Sequence, residues 1–78
     1  MNKFEKLSKI NSKIYYKYFL FGITNINDFI GELCIDTKTN EIKITKLAKK
    51  DTQKSDICVH ARALIQNNYP EKYTYAYC

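Results

Sequence analysis

A chain of 78 residues, 45% apolar and 27% charged, supplies one hydrophobic core, which excludes a second domain and a disordered chain. Thirteen Lys and Arg against eight Asp and Glu leave a net charge of +5, which favours anionic partners through long-range attraction and says nothing about fold. The longest apolar or aromatic run, residues 18–23, falls far short of the ~20 residues that cross a bilayer, so no membrane span is expected.

Phe4, Leu7, Ile10, Ile14 and Tyr18 fall in one arc of ~120° at ~100° per residue, the pattern of an amphipathic helix. Residues 14–23, rich in Tyr and Phe and ended by Gly22, instead suit a strand. The two readings compete for residues 14–18. Aromatic density with β-branched neighbours favours a short N-terminal helix or arm ending near Asn11-Ser12, followed by a strand.

After the polar connection of residues 24–28, Phe29, Gly31, Leu33 and Ile35 alternate with Ile30, Glu32, Cys34 and Asp36 at the period of a strand. Its expected partner is residues 41–47. Between them Asp36-Thr37-Lys38-Thr39-Asn40 reads as a hairpin loop, with Asp36 bonding the backbone two residues on and Asn40 in the left-handed conformation.

Residues 46–54 form a charged link. Beyond it Ile57, Ala61, Leu64 and Ile65 recur at helical spacing, with Asp51 or Ser55 as the N-cap. Asn67-Asn68 can end this helix in the left-handed conformation, and Pro70 prevents its resumption. Residues 72–78 then alternate, Tyr73, Tyr75 and Tyr77 on one face and Thr74, Ala76 and Cys78 on the other. The sum is an α+β fold: a small antiparallel sheet of about four strands in the order β-β-β-α-β, one main helix packed on one face, and a short N-terminal helix. The neighbour of the last strand is left open, with residues 14–23 as one choice.

Motifs for catalysis are lacking. Cys58-Val59-His60, with Cys34 and Cys78, invites a zinc hypothesis, but residues two apart on a helix point ~200° apart and do not converge on one ion. A nucleophilic thiol needs a base within hydrogen-bond reach, which sequence does not supply. Only Gly22 and Gly31 are present, too few for a glycine-rich phosphate loop. No catalytic residue, metal or cofactor is assigned. Three widely spaced cysteines without a secretory leader point to a cytoplasmic protein.

The feature that suggests function is the pairing of Tyr with Lys. Tyr stacks on bases while Lys meets phosphate, and an open sheet face bearing both suits single strands or nucleotides. On that basis the expected ligand-binding residues are Tyr16, Lys17, Tyr18, Arg62, Lys72, Tyr73, Tyr75 and Tyr77. The expected function is non-enzymatic binding of an anionic ligand, a nucleotide or a nucleic-acid segment. Its rival is a protein-protein inhibitor or accessory protein, such as a phage-type, mobile-element antagonist of a host defence system, with the aromatics facing a protein. A homo-oligomer fits either, since chains this small bury a thin core.

Overall fold

Residues 2–46 form four successive strands: β1 (Asn2–Ile10), β2 (Lys13–Phe19), β3 (Ile30–Asp36) and β4 (Glu41–Lys46). A single helix, α1 (Lys54–Gln66), follows, and β5 (Lys72–Tyr75) completes a five-stranded sheet of order β4-β3-β2-β1-β5 in which every neighbour is antiparallel. This is the arrangement of a computed structural model that describes residues 1–52 and 54–76. The expected Tyr77 and Cys78 lie outside the described residues.

The α+β class, the antiparallel sheet and the main helix agree with the sequence; the strand count and the N-terminus do not. Residues 2–10 are a strand, and a central one, paired with β2 on one side and β5 on the other. The helical stripe read through Phe4, Leu7 and Ile10 assumed that all three share one buried side. Only Phe4 is buried; Leu7 and Ile10 stand 46% and 57% exposed. The β1–β2 register slips between Lys6 and Ser8, so Leu7 is the extra residue of a bulge that shifts the alternation beyond it. The last strand lies beside β1, not beside residues 14–23.

Three of the turns rest on asparagines in the left-handed region, where their short polar side chains are tolerated: Asn11 between β1 and β2, Asn40 between β3 and β4, and Asn68 after α1. The Asp36 carboxylate accepts the Lys38 N–H at 2.9 Å, as the hairpin reading requires. At the end of α1 the Tyr69 N–H reaches the Leu64 carbonyl (2.8 Å) and the Asn68 N–H the Ile65 carbonyl (3.2 Å), the paired bonds of a Schellman cap. The helix begins at Lys54, and Asp51 stands ahead of it in the linker; the expected capping by Ser55 lies outside the described residues.

The core sits between α1 and one sheet face. Ile14, Tyr16 and Tyr18 of β2 and Leu33 and Ile35 of β3 point to Ile57, Ala61 and Leu64 of the helix, with Phe4 beside them. Tyr16 and Tyr18 are fully buried, and each hydroxyl fastens one end of the β4–α1–β5 crossover. The Tyr16 hydroxyl donates to the Pro70 carbonyl at 2.6 Å, where the chain leaves the helix. The Tyr18 hydroxyl accepts the Ala48 N–H at 2.8 Å, where the chain approaches it, and donates to Asp51 Oδ2 at 3.4 Å. Gly31, opposite Tyr18, makes room for that ring: a Cβ there would overlap it.

The other sheet face is open and carries a row of alternating charge. Lys72, Glu5, Lys17, Glu32 and Lys46 follow one another across all five strands in register. Opposite charges side by side on neighbouring strands stabilise the pairing modestly.

Burial raises the Tyr16 hydroxyl to about 12, with Glu71 and Tyr69 adding to the effect, and burial likewise raises Tyr18. An acid whose folded value is raised favours folding fully below the ordinary tyrosine value near 10 and loses that contribution as pH rises through the folded one. Tyr16→Phe should therefore cost about 1 kcal/mol, and Tyr18→Phe roughly 1–3 kcal/mol because it strands the buried Ala48 N–H. Urea melts of the two variants check the order, and both should lose less stability than the parent between pH 9 and pH 12, to within about 1 kcal/mol.

Candidate binding site

The end of the sheet away from the hairpin turns collects the start of β1, the 3-10 turns Leu20–Gly22 and Asn27–Phe29, the linker before α1 and the first turns of that helix. All of these but the Asn27–Phe29 turn line an open cleft of about 360 Å³. Ligand clefts run from about 300 to 1,000 Å³. Its walls are Asn2, Leu20 and Phe21 on the sheet side, Lys50, Asp51 and Thr52 from the linker, and Asp56, Ile57 and His60 from the helix.

One buried polar side chain organises this end. Asn2, 3% exposed, accepts the Phe21 N–H on Oδ1 at 3.1 Å and places Nδ2 2.9 Å from His60 Nδ1. Asn2 is the register partner of Tyr75, and the His60 ring stacks on Tyr75 at 4.2 Å with 14° between the planes. Burial lowers the His60 value, the N-terminal amine lowers it further and Asp56 opposes both. The imidazole is thus held toward its neutral form.

Phe21 itself is unusual twice over. Its backbone is left-handed (φ 54°, ψ 18°), a conformation costing an L-residue roughly 1–2 kcal/mol, and the residue is 61% exposed. Tyr69 shares the positive φ but is half-buried, and its hydroxyl donates to Asn40 Oδ1 at 3.2 Å. The Phe21 ring meets Phe29 edge-on at 6.2 Å and is otherwise turned outward, with Met1 and Ile26 among the exposed apolar residues of the same end.

The residues singled out from sequence do not converge. Tyr16 and Tyr18 are in the core and present no ring face to a ligand, because β2 turns them toward α1. Tyr73 and Tyr75 lie on the same helix-covered face, half-buried against the core. Lys17 and Lys72 are on the opposite, open face, each opposite Glu5 in the charge row. Arg62 is exposed on α1, on the far side of the helix layer from those lysines. The expected Tyr-Lys stacking platform is therefore not assembled by the described residues. Cys34, register partner of Tyr15 and Lys43 on the open face, is also separated by the sheet from Cys58 and His60, and the described residues include no group of three or more metal-binding side chains.

Asn2, Phe21, Lys50 and Thr52 were missed by sequence reading. The strand expected to run to Gly22 ends at Phe19, and nothing in the one-dimensional pattern shows that Phe21, in the 3-10 turn that follows, would be left-handed and exposed. Comparison with protein families, curated proteins and solved structures finds no match for this chain. No helix of the described chain is long and apolar enough to cross a membrane.

If Phe21 is presented rather than packed, Phe21→Gly should leave stability within about 1 kcal/mol of the parent, since relief of the left-handed backbone offsets the lost edge contact. Urea denaturation reads this directly; a loss of several kcal/mol would make the ring a core element.

Proposed function

We propose that this chain is a non-enzymatic binding protein, of the inhibitor or accessory class, that docks a protein partner through the Phe21 end of the sheet. The observation that carries the reading is Phe21: an aromatic residue 61% exposed on a backbone conformation that disfavours it. Strain of this kind persists where the surroundings hold it, here through the Asn2 carboxamide, and it concentrates at functional positions. Exposed aromatics that enter a recess on a partner carry much of the energy of protein interfaces. The cleft beside Phe21, with Asp51 and Asp56 against Lys50, adds polar groups that give such a contact its orientation.

A second reading keeps the anionic ligand. Lys50 at the cleft, the net charge of +5 and a volume that admits a mononucleotide support it. The two acidic groups in the same walls weigh toward the protein partner.

A photo-crosslinking residue placed at position 21, with position 59 on the exposed side of α1 as control, tests the reading in cells. One partner protein should be captured from position 21 and not from 59, and the purified pair should bind at least tenfold more weakly with Phe21→Ala. Equal affinity for parent and Phe21→Ala would remove the proposal. Saturable nucleotide binding lost in Lys50→Ala would establish the second reading instead.

A further inference from the structure

The carboxamide of Asn2 has a fixed orientation, and this fixes the protonation of its neighbour. Its Oδ1 accepts the Phe21 N–H, so the group facing His60 Nδ1 is the Nδ2 amide, a donor. Nδ1 must then offer a lone pair, and the neutral ring carries its proton on Nε2. A proton added to His60 goes to Nδ1 and sets donor against donor. Rotating the carboxamide gives Nδ1–H an acceptor but turns the amide group toward the Phe21 N–H, so one of the two hydrogen bonds is lost in either orientation. With Asn2 only 3% exposed, water does not readily replace it.

We propose that Asn2 couples the charge of His60 to the Phe21 turn, so that protonating the imidazole releases Phe21 from its left-handed, exposed presentation. The inference rests on Phe21 being the docking residue, and gives that surface a pH limit: it is assembled while His60 is neutral and lost on acidification. Among the described residues, the groups facing His60 include Asp56 one turn earlier on α1, the N-terminal amine ahead of β1, the Tyr75 ring from β5, and Lys50 and Asp51 across the cleft. Asp56 favours the charged ring, whereas burial and the N-terminal amine disfavour it, and the folded value falls below the ordinary 6.5. A histidine with a lowered folded value contributes stability fully above the unfolded value and loses it as pH falls through the folded one. The latch therefore opens on the acid side of 6.5.

His60 is the only histidine in the chain, so its ring signals in nitrogen- and carbon-resolved NMR need no assignment among rivals. In the free protein at neutral pH the ring should be the Nε2–H tautomer. On acidification the Phe21 backbone amide and the Asn2 carboxamide should shift with the same midpoint as His60, below 6.5. An Nδ1–H tautomer at neutral pH, or a Phe21 amide that ignores the His60 titration, would overturn the coupling. Asn2→Asp supplies an acceptor to both partners at once, so the His60 midpoint should rise and the Phe21 amide should stop following it. His60→Gln, which removes the titrating group without altering Asn2, should give a flat Phe21 amide over the same range; the parent's midpoint surviving in that variant would sink the proposal. These readouts need no partner, so they fail or succeed independently of the crosslinking result.

Discussion

Two buried tyrosine hydroxyls set the path of the crossover that lays the helix on the sheet. β4 and β5 sit at opposite edges of the sheet, so the segment joining them must cross three strands, and its path is defined where it departs and where it lands. Tyr18 binds the Ala48 N–H at the departure and Tyr16 the Pro70 carbonyl at the landing. Between these points Ile57, Ala61 and Leu64 close the helix on the sheet. A thin core in a chain of this size draws specificity from such paired polar contacts as well as from apolar area.

Placing the tyrosines in the core moves the functional question to the ends of the sheet. The open face carries one row that alternates in sign from strand to strand, while Asp36 and Glu41 face each other in another. At one end, Thr37 binds the Ser12 carbonyl and Tyr69 reaches Asn40, which ties the hairpin turns and the helix terminus to one another. At the other end Asn2, His60 and Tyr75 brace a left-handed aromatic beside a cleft. The first end is closed by its own contacts; the second presents groups outward.

Much of this was legible in one dimension. The β3–β4 hairpin followed from strict alternation around an Asp-initiated, Asn-terminated loop, and α1 from apolar spacing bounded by Asn67-Asn68 and Pro70. β1 was not, because its bulge breaks the alternation at Leu7, leaving a spacing that imitates a helix. The faces of β2 were readable in principle: Ile14, Tyr16 and Tyr18 alternate with Lys13, Tyr15 and Lys17, and the apolar set belongs inside. By that alternation Tyr16 and Tyr18 share no face with Lys17. The site eluded the sequence for a different reason. Asn2 lies fifty-eight positions from His60 and nineteen from Phe21, and only the folded sheet brings the three together.

The central claim is that the tyrosines of β2 serve the core while Tyr15 alone among them faces outward, and nitration of the native protein followed by peptide mass spectrometry tests it most directly. Tyr15 should be modified readily, and Tyr16 and Tyr18 only after denaturation. Modification of all three at equal rates in the native state would contradict the account and return those rings to the surface, where a ligand could reach them.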